Sequence, residues 1–249
     1  MNKFIPSKTK IGICTPLANE ENTIVKFCTE LTKEINRLKL NATVYMVIDG
    51  ASKDKTEQLL KKITSQNKKI KYKFDKNSKN VADAYISTFN MALDEKCEYI
   101  IEMDAGFSHQ PKELEEFIRG FQEGYDCVFG IRPLYSLSYK VPFKRRLFSV
   151  GGTLLGNLLL GTNYKDMTSG YEGFKSNVVK EILEYPIISK GHFFQTEIKY
   201  RSRKFSKKEV KIDYNFPSPS VNKNSIFNSF DSLFKLFLER LRTIYILKP

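Results

Sequence analysis

The chain has no Cys-x-x-Cys pair, no Gly-x-Gly-x-x-Gly, no Gly-x-x-x-x-Gly-Lys-Ser/Thr and no internal repeat. Each absence removes a class. Cys14, Cys28, Cys97 and Cys127 fall inside apolar runs without metal-ligand spacing, so they read as small core residues of a reducing compartment. A nucleotide, if bound, is held by neither a dinucleotide fingerprint nor a P-loop. Without a Gly/Ser-rich or Pro-rich run there is no linker, which leaves one α/β domain with a C-terminal appendage. Met1 to Pro6 lacks the apolar core of a signal peptide, and a cytoplasmic location is expected. No RNP-like or zinc-finger pattern accompanies the aromatic residues, so nucleic acid is not the expected partner.

What is abundant is positive charge. The formal net charge is +13, from 41 Lys and Arg against 28 Asp and Glu. Such a balance suits a phosphorylated small molecule or an anionic membrane face, and equally a Lys-rich soluble surface.

Strand and helix signals alternate. Lys10 to Thr15, Ala42 to Asp49, Lys69 to Phe74 and Tyr99 to Met103 are short apolar runs bounded by turn residues. Helical spacing follows the first at Ile24, Phe27, Cys28, Leu31, Ile35 and Leu38, with Asn19 as N-cap and two glutamates in the first turn. Asn80 to Leu93 is a further helix, and Pro111 starts another. This alternation predicts parallel pairing with right-handed crossovers. Two of the four strands end in aspartate, at Asp49 and Asp104, and parallel strands end at one crevice. One carboxylate there suits a base or ribose, and the other a diphosphate met through a cation.

Toward the C-terminus, Leu147 to Leu160 is apolar but only 14 residues long, short of the ~20 that cross a bilayer. It reads as a core or membrane-facing helix. Ser225 to Leu247 places Ile226, Phe230, Leu233, Phe234, Phe237, Leu241, Ile244 and Tyr245 on one helical face. That face suits packing on its own domain, a homo-oligomer contact or a lipid interface. The division expected is 1–224 for the α/β unit and 225–249 for an amphipathic helix.

The segments Pro16-Leu17-Ala18-Asn19-Glu20-Glu21, Ile48-Asp49-Gly50-Ala51-Ser52-Lys53-Asp54-Lys55-Thr56 and Met103-Asp104-Ala105-Gly106 resemble, in order and spacing, family 2 glycosyltransferases of the GT-A fold. Within that family the chain is similar to the dolichol- and polyprenyl-phosphate mannose or glucose synthases. Val128 to Arg132, Lys144 to Ser149, Asp166 to Phe174 and Phe194 to Glu197 extend the resemblance. It implies a Rossmann-like, mostly parallel sheet with helices on both faces, and inverting transfer of a sugar from a nucleoside diphosphate (GDP-mannose-like or a UDP-sugar) to a polyprenyl or dolichyl phosphate. It further implies that Pro16, Asn19, Glu21 and Asp49 surround the nucleoside, while Asp83 and Ala105 approach the donor. Asp104 is then the first carboxylate of an Asp-x-Asp motif beside the diphosphate and a Mg²⁺ or Mn²⁺ ion. Arg132 bridges donor and acceptor phosphates, and Arg145 and Ser149 hold the lipid phosphate. Peripheral attachment to the cytoplasmic membrane face goes with such an acceptor.

The chain departs from the family pattern at Gly106 (usually a second Asp), Ser108 (often Gln), Gly50 (usually Asp), Ala82 and Asp83 (usually glycine-rich) and Glu172 (commonly basic). A saccharide hydroxyl as acceptor would need a carboxylate base, for which Asp166 and Glu172 are the candidates. Transfer to a surface polysaccharide, or a catalytically silent domain that binds a nucleotide sugar or a protein partner, are the other readings. His109, near Asp104, and His192, in Lys190 to Phe194, are the only histidines.

Overall fold

The computed structural model describes residues 4–134, 142–214 and 223–246, with side chains in the last segment described for 226–242. Four strands, β1 (Ile11–Leu17), β2 (Ala42–Asp49), β3 (Ile70–Asp75) and β4 (Tyr99–Glu102), pair in parallel in the order β3-β2-β1-β4. β1 and β4 are buried on both faces along almost their whole length, which is why they read as continuous apolar runs. Between them run α1 (Ile24–Arg37), α2 (Thr56–Gln66) and α3 (Val81–Asp94); a 3-10 turn at Pro111–Glu113 leads into α4 (Leu114–Gln122).

β5 (Cys127–Ile131), α5 (Phe143–Leu160), β6 (Glu172–Lys175), α6 (Ser176–Leu183), α7 (Phe194–Arg201), β7 (Lys207–Lys211) and α8 (Lys223–Ile246) complete the chain. The sheet has seven strands, in the order β3-β2-β1-β4-β6-β5-β7. β6 runs antiparallel between β4 and β5, while β5 and β7 pair in parallel, so the sheet is mostly parallel, as expected, with β6 the reversed strand. Gly173 in β6 faces the rings of α4. A Cβ there would lie 2.8 Å from Phe121 Cζ, so only glycine lets this strand and helix close up.

Helices cover both faces. Phe27, Leu31, Ile35, Leu60, Phe117 and Phe121 fill one side of the sheet; Tyr85, Phe89, Val178, Ile182, Phe194 and Ile198 fill the other. α1 buries Ile24, Phe27, Cys28, Leu31 and Ile35, the spacing of a single helical stripe. Its N-cap, however, is Thr23 and its first turn holds no acidic residue, because Asn19 turns the chain away through a left-handed φ of 57°. The expected cap at Asn19 is therefore replaced by a loop, which frees Asn19 and both glutamates for other contacts. All four cysteines are buried and free.

α8 packs through Leu233 and Leu236, with Arg240 donating to the carbonyl of Leu159 in α5 at 2.7 Å. Phe230 and Phe234, expected on the packing face, stand 57% and 58% exposed. The helix is apolar on two sides, and helical spacing alone does not say which side docks. Leu247 lies outside the described residues, as do the side chains of Ser225, Ile244 and Tyr245. Among the described residues no helix is long and apolar enough to cross a membrane.

Candidate active site

β1 is the shared neighbour of β2 and β4, in parallel register with both, so the carboxyl ends of all three strands lie on one sheet edge. Asp49 closes β2 and Asp104 follows β4 by two residues. Two inter-strand steps separate them, roughly 10 Å. The two carboxylates therefore belong to one edge, as their strand-end positions predict.

The β1 and β2 ends are laced together. Asn19 Oδ1 accepts from the Lys53 amide at 2.9 Å, and the Asn19 amide donates to Ser52 Oγ at 3.0 Å. Glu21 Oε2 accepts from the Lys55 amide at 3.0 Å, and the Glu21 amide donates to Asp54 Oδ2 at 2.8 Å. Asp54 also accepts from the amide and hydroxyl of Thr56. Asn19 and Glu21 are thus spent on positioning the loop that follows β2. Asp49 sits within that loop, accepting from the Ala51 amide at 2.7 Å and the Ser78 hydroxyl at 3.4 Å, and it is 6% exposed. Pro16 pairs with Val47 in the β1–β2 register.

Asp104 is differently placed. Its side chain is 40% exposed, yet each oxygen is aimed. The Tyr85 hydroxyl donates to Oδ1 at 2.6 Å and Ser108 Oγ to Oδ2 at 3.2 Å. The Asp104 amide donates to His109 Nδ1 at 3.0 Å, so the buried imidazole accepts at that nitrogen and keeps its proton on Nε2. Burial lowers the His109 pKa, outweighing the Asp104 charge that raises it. His109 is a positioning residue for the turn, stacked on Tyr171 with ring centroids 4.9 Å apart. Phe107, in the same turn, has a left-handed φ of 59° and is held edge-on against Phe27. Such strain persists only where the surroundings over-determine it. Ala105 is buried in the core, so its backbone rather than its side chain lines the edge.

Asp83 lies in the first turn of α3 and closes a reciprocal cap, accepting from Asn80 Nδ2 at 2.8 Å while its amide donates to Asn80 Oδ1 at 3.1 Å. Another acidic side chain approaches the Asp104 turn from a different loop. Glu20 reaches toward Gly106, and burial together with the charges of Asp104 and Asp54 raises its pKa against the lowering hydrogen bond from Thr23.

The basic residues form a second group. Arg132, 9% exposed, forks onto Asp166 with Nε–Oδ2 at 2.7 Å and Nη2–Oδ1 at 2.8 Å. Burial pushes the Asp166 pKa up, but the Arg132 guanidinium outweighs it and holds the carboxyl below its usual range. Tyr214 joins the arginines: its ring lies 5.3 Å from the Arg132 guanidinium carbon and its hydroxyl 3.3 Å from Arg145 Nη2. Ser149 lies one helical turn beyond Arg145 on α5, on the same face. Desolvation of the His192 ring lowers its pKa, with the Asp104 charge opposing and the Arg145 charge adding to the effect.

Beneath the edge is a buried acid pair. Glu102 in β4 faces Glu172 in β6 in the antiparallel register, and both are fully buried. Lys199 from α7, also fully buried, meets Glu172 at 2.7 Å. Burial and the neighbouring Glu172 and Asp104 charges push the Glu102 pKa well up, so Glu102 is the member that holds its proton. Lys199 thus brings a positive charge from α7 to the buried Glu172 carboxylate. Asp166 and Glu172, the candidate bases for a hydroxyl acceptor, are both fully buried and ion-paired, to Arg132 and to Lys199.

For a divalent cation, the donor set is oxygen: the exposed carboxylate of Asp104, with open space at Gly106 that a side chain would fill toward Glu20. That suits Mg²⁺ or Mn²⁺, which take one or two carboxylates plus substrate phosphates. Among the described residues no group of three or more His, Cys, Asp or Glu is arranged to hold a metal by itself.

Replacing Asp166 by Ala strands the buried Arg132 charge. Urea denaturation is expected to show a loss of about 3–5 kcal/mol, the usual consequence of removing one member of a buried pair. Unchanged stability would mean that Asp166 is not the anchor of Arg132.

Comparison with known proteins agrees with this geometry. The chain is 27% identical over 172 residues to an undecaprenyl-phosphate mannosyltransferase of Micrococcus luteus, covering 69% of this chain and 70% of that protein. It is 28% identical over 195 residues to a polyprenol monophosphomannose synthase of Mycolicibacterium smegmatis, covering 77% and 74% respectively. The fold is similar to that of glucosyl-3-phosphoglycerate synthase from Mycobacterium tuberculosis, with a TM-score of 0.63 at 14% identity over 94% of this chain and 81% of that one. A structure of that synthase with Mn²⁺, UDP-glucose and phosphoglyceric acid gives a TM-score of 0.62 at 14% identity, covering 94% of this chain and 80% of that one. The family model for glycosyl transferase family 2 matches residues 12–183, and with the GT-A-like sheet and its edge of aimed carboxylates this makes the chain a member of that family and a glycosyltransferase.

Proposed function

We propose that this glycosyltransferase moves a sugar, with inversion, from a nucleoside diphosphate of the GDP-mannose or UDP-sugar kind to a polyprenyl or dolichyl phosphate. The observation that carries the choice of acceptor is the state of Asp166 and Glu172. Both are fully buried and ion-paired, to Arg132 and Lys199. A hydroxyl acceptor needs a base, whereas a phosphate oxygen is already ionised near neutral pH, its second pKa being about 6. The names of the two curated relatives point the same way.

In this reading the laced loops carrying Pro16, Asn19, Glu21 and Asp49 receive the nucleoside, with Asp83 and the Ala105 backbone toward the donor sugar. Asp104, fixed by Tyr85 and Ser108, would hold Mg²⁺ or Mn²⁺ together with the diphosphate. When bound, such an ion neutralises charge on the leaving diphosphate. Arg132 stabilises the charge developing between donor and acceptor phosphates, and guanidinium forks suit phosphate oxygens. Arg145 and Ser149, with Tyr214 between the two arginines, receive the lipid phosphate. Residues 1–224 are taken as the catalytic unit and 225–249 as a segment appended to it, helical over its described part.

Two helices extend the reading to a membrane surface. α5 exposes Phe143, Leu147 and Phe148 beside Lys144, Arg145 and Arg146, and α8 exposes Phe227, Phe230 and Phe234. Apolar side chains flanked by basic ones fit the cytoplasmic, anionic face of a bilayer.

Incubation with radiolabelled GDP-mannose or a UDP-sugar and a polyprenyl phosphate is expected to move label into the organic phase. Asp104→Ala should reduce it by at least about 10²-fold. Donor turnover without lipid labelling would favour a saccharide acceptor, and binding without turnover a silent domain. In flotation with anionic liposomes, the Phe230→Glu/Phe234→Glu variant is expected to stay at the bottom of the gradient with its melting temperature unchanged. Equal flotation of both proteins would remove α8 from the membrane contact.

A further inference from the structure

The second acidic position of the Asp-x-Asp pattern is glycine in this chain, yet the space beside it already contains a carboxylate. Among the described residues a Cβ built on Gly106 meets only Glu20 within 4 Å, with Oε1 at 3.6 Å and Oε2 at 3.9 Å. An acidic side chain at 106 would extend from that Cβ into the region where the Glu20 carboxylate now lies. The two alternatives fill the same space from different backbones.

Glu20 is built into place. Its amide donates to Thr56 Oγ1 at 2.8 Å, and its carbonyl accepts from the amides of Thr23 and Ile24 at 3.0 Å and 2.9 Å. The Thr23 hydroxyl donates to Oε2, which orients the carboxylate. Among the described residues Oε1, the oxygen nearer Gly106, has no hydrogen-bond donor. The β1–α1 loop could take this course because Asn19, in its left-handed conformation, bends it across the β2–α2 loop rather than capping α1.

We propose that Glu20 supplies the second carboxylate of the diphosphate–cation site, replacing in space the acidic side chain that Gly106 lacks. The inference rests on the reading of this edge as a nucleotide-sugar site that uses a divalent cation. It assigns Asp104 and Glu20, from two different loops, as the protein's oxygen donors, with phosphate oxygens and water completing the shell of Mg²⁺ or Mn²⁺. One consequence concerns coupling. The loop that carries Glu20 also carries Asn19 and Glu21, so cation binding and ordering of the nucleoside loops are linked in this chain through a single segment.

The test is a titration of Mn²⁺ by electron paramagnetic resonance in the presence of UDP or GDP, with melting temperature measured without metal. Glu20→Gln keeps the shape and the acceptor for Thr23 but removes the charge. It is expected to weaken Mn²⁺ binding by more than the roughly tenfold that loss of an outer-shell partner costs, with the metal-free melting temperature unchanged. Adding Gly106→Asp to Glu20→Ala, which vacates that space, should restore Mn²⁺ affinity, because a Cβ at 106 makes only ordinary contacts. Wild-type Mn²⁺ affinity in Glu20→Gln overturns the proposal. So does a loss that Gly106→Asp leaves unrepaired, which would make Glu20 a loop brace. No acceptor is present in this measurement, so its failure leaves the lipid-phosphate reading untouched, and failure of that reading leaves this result standing.

Discussion

The constraint on which the site depends is the pairing of β1 on both its edges in parallel. One strand fixes the register of β2 on one side and β4 on the other, and with it the height at which each chain leaves the sheet. Three loops then emerge side by side at one edge. Strand ends in open α/β sheets supply carboxylates and amides to ligands for this reason. β1 can serve as the centre because it is buried on both faces, and a one-residue slip would exchange every side chain between the two helical layers.

A second principle is visible in how charge is handled. The exposed part of the edge carries Asp104 and Glu20, while the layer beneath it buries Arg132 with Asp166 and Lys199 with Glu172. Buried pairs of this kind contribute little net stability but make the loss of either partner costly. Their effect here is positional. Asp166 aims a guanidinium, and Lys199 joins α7 to β6 behind the acid pair Glu102–Glu172. Near the site the basic side chains have two roles: Arg132 and Lys199 neutralise buried carboxylates under it, and Arg132 and Arg145 flank Tyr214 beside it.

Much of this was legible in the sequence. The four parallel strands and the helices between them announce themselves because each buries a periodic apolar set, and Asp49 and Asp104 stand out because they end such strands. β6 was not legible as a strand: Glu-Gly-Phe-Lys has no apolar alternation, since its buried glutamate is neutralised by a lysine 27 residues away. Tyr214 gave no signal either, for its role exists only through two arginines distant in the chain. The cap assigned to Asn19 failed because its residue type suits a helix start and a left-handed loop turn equally well. In α8, apolar residues on two sides left the docking face undetermined until Leu233 and Leu236 were seen buried. Local pattern reveals elements; partners that meet across the fold need coordinates.

The central claim is that the loops after β1, β2 and β4 form one pocket for a nucleoside diphosphate. A crystal structure with UDP or GDP and Mn²⁺ tests it most directly. The account predicts the nucleoside against the Pro16–Asn19 and Asp49–Ser52 segments and the diphosphate beside Asp104. A nucleotide bound on any other face of the sheet, with Asp104 left in solvent, would contradict it.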